Sequence, residues 1–574
     1  MPSNTREKPP DVTLKRFYRS GFRNSQSRQL MTVQKSFAFA CLLFVFTPGE
    51  CAHAAPLAER PNIVLIVADD LGFSDLGCYG SEIKTPHLDR LAHQGLRFTQ
   101  FHNNAICVST RASLMTGLYP RQVSISKLKN CVTIAEVLRD SGYQTLMAGK
   151  WHLAGHPRDR GFERYYGLLT GCCNHFNPGQ QRLGEPSPGK KHVGDEQPFD
   201  LDGQLVKPFT PPREFYSTDA FTNAALTFLN ERRNDERPFF LYVAYTVPHY
   251  PLHAPPEDIT RYRGKYLDGW DRLREARFQR LRELGLIGKS WELSPRSPHA
   301  PAWDDIEDKD AWDLKMAVYA AMVDRLDRNI GRILEKIRVT GEEDNTLVLF
   351  LSDNGASDEN RTSTPNIPPG PVESYWSVDL PWATLSNTPF RHFKRWNHEG
   401  GTATPLIAHW PQRISARGEI THKIGHVIDI MATIVEIASA TYPTSYHGST
   451  VQQLEGRSFL STLLKPDSVS ADRPIFWNRA GLWRSVRVGK WKLVSPDYTQ
   501  QYNPWRAGRK GRLVRDPPVD SDTLWELYDM ENDRTEVHNL AHQQPERVQR
   551  MATLYAKWDR RVSNSAHDST RSDD

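Results

Sequence analysis

Two acidic clusters stand at the ends of apolar runs in this sequence. Val67-Ala68-Asp69-Asp70 closes the run from Ile63, and Leu351-Ser352-Asp353-Asn354-Gly355 closes the run from Leu347. In an open α/β sheet, ligands collect at the carboxyl ends of strands, so two such clusters can converge on one cation. Asp69, Asp70 and Asp353, with the amide oxygen of Asn354, form a hard oxygen set that suits calcium or magnesium. An aspartate after a strand is as often a helix cap, but two clusters together favour a metal. Between them lies Asn104-Ala105-Ile106-Cys107-Val108-Ser109-Thr110-Arg111-Ala112-Ser113-Leu114-Met115-Thr116-Gly117. Read alone, this string is a buried structural cysteine followed by a helix.

The elements that must position these residues follow a repeating pattern. From Pro61 onward, short β-branched runs alternate with amphipathic stretches of helical period. This predicts an α/β fold, a large, mostly parallel mixed sheet sandwiched by helices. The clearest strands are Ile63 to Val67, Phe239 to Val243 and Leu347 to Leu351, whose near-continuous apolar character implies burial on both faces. Helices are predicted over Thr133 to Asp140, Asp313 to Ile337 and Gly425 to Ala438. Gly171 to Pro212 and Gly355 to Pro389 read as long loops with a binding role. Within them His175, Lys190, Lys191, Tyr375 and Trp376 are of types suited to a sugar, although solvated loop residues are the ordinary reading of each. After Tyr442 the alternation fades into shorter strands around Ser485 to Val494 and Leu524 to Tyr528, then a helix from Pro545 to Arg561. The expected division is a leader at 1–54, a catalytic domain at 55–441 and a smaller α+β domain at 442–574.

Composition removes several function classes. The 574 residues are 38% hydrophobic and 25% charged, which excludes disordered and fibrous chains. The net charge of +5 arises within residues 1–54, where eight Lys and Arg face three Asp and Glu, and the rest of the chain is balanced. Without a basic stripe, no nucleic-acid partner is expected. Lys35, the apolar stretch Phe37 to Phe46 and the small-residue site Ala52-His53-Ala54 read as an export signal cleaved after Ala54, with Met31 as an alternative start. The expected location is therefore periplasmic or secreted, with no stable membrane span. Five of the 7 cysteines, Cys78, Cys107, Cys131, Cys172 and Cys173, follow the cleavage site. That is too few for a disulfide scaffold, and no Cys/His spacing suggests zinc.

The segment around Cys107 resembles the signature of the type I, formylglycine-dependent sulfatases, although many members carry proline where Ser109 stands. Gly149-Lys150-Trp151-His152-Leu153, Pro248-His249-Tyr250-Pro251 and Phe393-Lys394-Arg395-Trp396-Asn397-His398-Glu399-Gly400-Gly401 are similar to further elements of that family. So are Gly489-Lys490-Trp491-Lys492-Leu493-Val494 and Trp525-Glu526-Leu527-Tyr528-Asp529, which resemble the C-terminal domain of bacterial arylsulfatases. Many members carry a His-Glu-Gly-Asn-like stretch near Phe476-Trp477-Asn478-Arg479-Ala480, and this chain departs from it there.

The resemblance implies an alkaline-phosphatase-like fold and hydrolysis of sulfate monoesters to an alcohol and inorganic sulfate. It implies conversion of Cys107 to formylglycine by a sulfatase-maturing enzyme. It also implies one divalent cation, calcium with magnesium as the alternative, held by Asp69, Asp70, Asp353, Asn354 and the modified residue 107. The catalytic set carried over is Cys107, Arg111, Lys150, His152, His249 and Lys394. One hydroxyl of the hydrated aldehyde attacks sulfur, His249 or Lys394 protonates the leaving oxygen, and His152 takes a proton from the second hydroxyl. The expected substrate is a sulfated small molecule or glycan. The alternatives are a phosphomonoester or phosphonate-ester hydrolase of the same superfamily and a non-catalytic protein that binds sulfated glycans.

Overall fold

A computed structural model describes residues 60–190, 196–232, 235–468, 472–479, 483–495 and 525–568. The leader at 1–54 with its export signal, and Lys191, lie outside the described residues. Ten strands build the main sheet: β1 (Asn62–Asp69), β2 (Leu96–His102), β3 (Gln144–Gly149), β4 (Arg164–Leu168), β5 (Phe199–Leu201), β6 (Leu205–Val206), β7 (Phe239–Pro248), β8 (Thr346–Ser352), β9 (Ala403–His409) and β10 (Glu419–His426). Their spatial order is β10-β2-β9-β8-β1-β7-β3-β4-β5-β6. The centre, β8 through β4, is parallel, and antiparallel pairs flank it on either side.

The apolar run of β1 is continuous because both of its faces are covered. Val64, Ile66 and Ala68 point into one core, which includes Phe221 and Met316 from the helices Ser217–Glu231 and Lys309–Val339. Ile63, Leu65 and Val67 point into the other, which includes Leu114, Ile134 and Ile430 from the helices Cys107–Thr116, Ile134–Asp140 and Ile428–Ile437. This is the period-2 alternation of a strand sandwiched between two helical layers.

The structure lengthens or splits several predicted elements. The 31-residue helix Lys309–Val339 starts earlier than its apolar period because the Asp308 carboxylate accepts from the Ala311 N–H and caps it. Gly425 and His426, predicted to begin a helix, end β10 instead, paired with Phe101 and His102 of β2. A Cβ on Gly425 would lie 2.5 Å from the Phe101 ring, so the close strand contact needs glycine. The helix then starts at Ile428, after Asp429 accepts from the His426 N–H at 2.9 Å. The loop read at Gly171 to Pro212 contains β5 and β6, an edge extension anchored by the buried Phe199. The loop read at Gly355 to Pro389 contains the helix Asp379–Ser386, with Trp382 fully buried. Gly and Pro content marked both as loops, but short elements held by tertiary packing carry little local periodicity.

A two-stranded ribbon, β11 (Ser445–Tyr446) and β12 (Ser449–Thr450), precedes a separate antiparallel sheet of β13 (Ile475–Arg479), β14 (Trp483–Val488), β15 (Trp491–Val494) and β16 (Glu526–Asp529). The predicted strand Ser485 to Val494 is thus two strands joined at Gly489-Lys490, with Gly489 at φ 55°. The helix Pro545–Asp568 covers this sheet through Met551, Tyr555 and Trp558, and Tyr119 and Ile428 of the larger part join the same core. Among the described residues, no helix is long and apolar enough to cross a membrane.

Candidate active site

The parallel centre of the sheet aligns the carboxyl ends of β1, β8, β7 and β3 along one edge. Asp69 is the last residue of β1, and Asp70 follows it at φ 67°. Asp353 and Asn354 follow β8, His249 follows β7, and Lys150 and His152 follow β3. Cys107 opens the helix Cys107–Thr116, and Arg111 stands one turn later on its inner face, fully buried. Gly149 lets β3 deliver Lys150. It has φ 113°, and a Cβ there would come 2.0 Å from the Ala244 carbonyl oxygen, which accepts the Lys150 N–H at 2.7 Å. Four non-glycine residues of the site region, Asp70, Ala105, His152 and Arg395, share positive φ, at 67°, 59°, 56° and 81°. Such backbone persists where the surrounding structure over-determines it, commonly at functional sites.

The three carboxylates each turn one oxygen toward a cationic side chain. Lys150 Nζ donates to Asp69 Oδ2 at 2.6 Å, and Lys394 Nζ donates to Asp70 Oδ1 at 2.6 Å. Arg111 donates to Asp353 Oδ2 from Nε at 3.0 Å and from its terminal nitrogen at 2.7 Å. The Asn354 amide donates to Asp70 Oδ1 at 2.6 Å, which turns its own oxygen inward. Asp69 Oδ1, Asp70 Oδ2 and Asn354 Oδ1 are left buried without a hydrogen-bond donor. Ligand atoms of Asp69, Cys107 and Asp353 all lie within 4.8 Å of one another, as do those of Asp69, Asp70 and His249. Buried oxygens are normally satisfied, so this inward-facing set fits a hard divalent cation.

Charge separates the protonation states. Burial pushes the Asp353 carboxyl up to about 7, and facing Asp69 adds to this against the pull of Arg111 and Lys150. Burial acts on Asp69 in the same sense, but Lys150, His249, Arg111 and Lys394 together hold it well below the usual carboxylate range. A cation between the two would let both ionise. Burial alone would depress Lys394, yet Asp70 and its other neighbours hold its pKa well above the ordinary lysine value, so it stays an ammonium. Burial lowers His249, against Asp70, and Lys394 lowers it further. Its Nδ1 lies 2.6 Å from the Tyr250 carbonyl oxygen, which assigns the ring proton to that nitrogen and aims Nε2 at Asp70 Oδ2, 3.6 Å away. Burial, with Lys150 and Arg111 beside it, drives His152 down to about 2, so it is a neutral imidazole. Its Nδ1 lies 3.5 Å from Cys107 Sγ. Burial raises the Cys107 thiol, only partly offset by Lys150 and Lys394, so the unmodified thiol stays protonated at neutral pH.

Asp69, Asp70, Cys107, Arg111, Lys150, His152, His249, Asp353, Asn354 and Lys394 therefore meet at one edge of the sheet. Several supporting residues were not singled out. The Tyr242 hydroxyl receives Arg111 at 3.3 Å, Asn103 Oδ1 receives the Ala105 N–H at 2.8 Å, and Glu359 accepts from the Tyr250 hydroxyl at 3.0 Å. Tyr242 carries a usable signal, because a tyrosine inside a strand buried on both faces must find a polar partner. Glu359 carries none, since only folding brings it to Tyr250. Trp477 is buried and donates its indole N–H to the Asn103 carbonyl at 2.7 Å, so it braces the segment before Cys107. Of the loop residues suited to a sugar, His175 and Tyr375 are buried, and His175 lies 3.1 Å from the His249 carbonyl oxygen. Lys190 pairs with Glu196 at 3.1 Å.

The Sulfatase family model matches residues 61–440. An uncharacterized sulfatase of Schizosaccharomyces pombe is 32% identical over 537 residues, covering 85% of this chain and 91% of that protein. An arylsulfatase of Klebsiella aerogenes is 32% identical over 425 residues, covering 67% of this chain and 88% of that protein. Among solved structures, the chain is similar to Ps i-CgsB, solved in complex with k-i-k-neocarrahexaose, with a TM-score of 0.60 and 26% identity over 87% of this chain and 92% of that one.

Proposed function

The chain belongs to the sulfatase family and is a sulfuric ester hydrolase, and from that premise we propose that it works through formylglycine made from Cys107 beside one bound divalent cation. The observation that carries this reading is the set of inward-facing, donor-free oxygens of Asp69, Asp70 and Asn354 next to residue 107. Asp69, Asp70, Asp353, Asn354 and residue 107 would hold calcium, with magnesium the alternative, and the ion would supply charge stabilisation to the transferred group. Hydrated formylglycine would supply a hydroxyl nucleophile and a second hydroxyl through which the carbonyl is regenerated.

The chain's own residues do the rest. Arg111, Lys150 and Lys394 surround the place where sulfate oxygens must sit and are already oriented by their aspartates, so little reorganisation accompanies charge development. His249 or Lys394 protonates the leaving oxygen, Lys394 Nζ being held in the site by Asp70 at 2.6 Å. The Tyr250 carbonyl accepts from His249 Nδ1 and fixes the ring beside Asp70, within the same charged cluster. Neutral His152, beside residue 107, is positioned to take a proton there. The maturing partner is a formylglycine-generating enzyme, the substrate a sulfated small molecule or glycan, and the chain is exported. The division at 441/442 separates the catalytic part from the C-terminal part.

The mass of the tryptic peptide Phe98 to Arg111, after expression with a formylglycine-generating enzyme, tests this reading. Replacement of the thiol-bearing carbon by an aldehyde is expected, and sulfate must then be released from an aryl sulfate faster than phosphate from the matching aryl phosphate. An unmodified cysteine, with a known sulfatase converted in parallel, overturns the formylglycine assignment. Chelation provides a second check. Removing the cation leaves three carboxylates facing one another, so the unfolding midpoint is expected to fall and to return on adding calcium, by about 2.7 kcal/mol at a hundredfold excess over Kd. A midpoint indifferent to chelator and calcium would exclude the cation site.

A further inference from the structure

A second cavity, of about 410 Å³, lies between β10 and the C-terminal sheet and shares no lining residue with the candidate active site. Phe98 and Phe459, both buried, give part of it an apolar wall. Its charges are unbalanced. Four cations line it, Lys423, Arg457, Arg473 and Arg487, against two carboxylates, Asp429 and Asp472. The chain beyond residue 54 is otherwise even in charge.

Arg487, on β14, is the centre of the imbalance. It is only 2% exposed, yet among the described residues no carboxylate pairs with it. Its Nε donates to the Gly489 carbonyl at 3.1 Å, one terminal nitrogen donates to Gln100 Oε1, and the other lies 3.4 Å from His102 Nε2. These contacts engage three of the five guanidinium N–H groups with uncharged partners, because burial holds the His102 ring down at about 4. A buried charge without a counterion is costly. Burial, with Arg534 adding to it against Glu399, pushes Arg487 down to about 10. Asp429 is already committed. It pairs with Arg473 and accepts the N–H groups of His426 and Arg457 at 2.9 and 2.8 Å. Asp472 is exposed to solvent. Lys423 is half-buried and Arg457 exposed, and among the described residues neither charged group meets a hydrogen-bond or ion-pair partner.

We propose that this cavity is a binding site for a small dianionic oxyanion, sulfate or phosphate, held by the uncommitted N–H groups of Arg487 together with Lys423 and Arg457. A dianion matches the surplus of two positive charges, and its tetrahedral oxygens accept from guanidinium and ammonium donors alike. The space beyond the ion suits waters that complete its hydrogen bonds. Arg487 reaches His102, the last residue of β2 and five residues before Cys107, so the bound ion fastens the C-terminal sheet to the strand that leads to the nucleophile position. The site is independent of the chemistry at residue 107.

The test uses the full chain with Cys107 unconverted, so that no turnover intervenes. Sodium sulfate and sodium phosphate are titrated separately by calorimetry, above the second ionisation of phosphate and at an ionic strength fixed with sodium chloride. Three proteins are compared: the unsubstituted chain, Lys423→Glu/Arg457→Glu, and Lys394→Met, which lacks a cation of the candidate active site. Binding is expected to survive in Lys394→Met and to weaken by at least about tenfold in the double variant, the effect of losing charge-assisted hydrogen bonds. Arg487→Gln is expected to weaken it likewise. The unfolding midpoint should rise more with the bound ion than with chloride of equal ionic strength, and this excess should vanish in the double variant. Tighter sulfate names the product of the chain's own hydrolysis as the ligand, and tighter phosphate names an external one. Binding that disappears with Lys394 and persists in the double variant belongs to the active site and overturns the proposal. So does the absence of binding to the unsubstituted chain, or a response that chloride reproduces.

Discussion

Cys107→Ser is expected to abolish sustained sulfate release, with a loss of at least about 10³-fold in turnover. Residue 107 opens its helix beside the inward-facing oxygens of Asp69, Asp70 and Asn354, with His152 Nδ1 3.5 Å from its side-chain atom. A serine keeps one hydroxyl there, enough to accept the sulfuryl group and release the alcohol once. It has no second hydroxyl through which a carbonyl can form, so the product is a stable serine sulfate ester. The expected record is a burst of alcohol no larger than one equivalent per site, followed by no further turnover, and no burst at all from Cys107→Ala. Continued turnover by the serine variant would rule out the aldehyde mechanism. The unmodified chain should also be silent, since burial keeps the Cys107 thiol protonated.

Lys492→Met is expected to lower stability by about 3–5 kcal/mol, the loss typical when one partner of a buried ion pair is removed. Lys492 on β15 donates to Glu399 at 2.8 Å and pairs with Glu536 at 2.9 Å, all three fully buried. Glu399 also meets Arg534 at 2.6 Å and His102 at 3.2 Å, so this network locks the C-terminal sheet to the strand that leads to Cys107. The pH dependence has a definite sign. Burial would raise the Glu399 carboxyl, but Lys492, Arg534 and His102 hold it well below its ordinary 4.5. A depressed carboxylate contributes stability that is complete above its unfolded pKa and is lost as pH falls through the folded one. The variant has less of this contribution to lose, so its deficit should be full at pH 7 and narrow below about pH 4.5. Urea midpoints for both proteins at pH 7 and pH 4 measure this, and a deficit independent of pH would show that Glu399 is not the group left uncompensated.

The same network marks the boundary of what local sequence can reveal. Glu399, Lys492, Arg534 and His102 are far apart in the chain, and each alone reads as a solvated or ordinary polar residue. Their burial depends on two sheets packing, which no periodicity encodes. The strands at Ile63, Phe239 and Leu347 were legible because burial on both faces leaves an uninterrupted apolar run. The acidic clusters were legible for a related reason, since the end of a buried run points to the ligand-bearing edge of a parallel sheet. Gly425 misled because an edge strand and the helix after it share one apolar stretch.

By itself, then, the sequence determined the types of residue at the site, their placement at strand ends and their resemblance to one family's motifs, because strand period and residue chemistry are local properties. Only the tertiary structure decided which oxygen of each aspartate faces a lysine or arginine and which is left for a cation. It also decided that Trp477 of β13 is buried as a brace for the segment before Cys107. These are outcomes of strand register and of packing between the two sheets, where a shift of one residue turns every side chain to the opposite face.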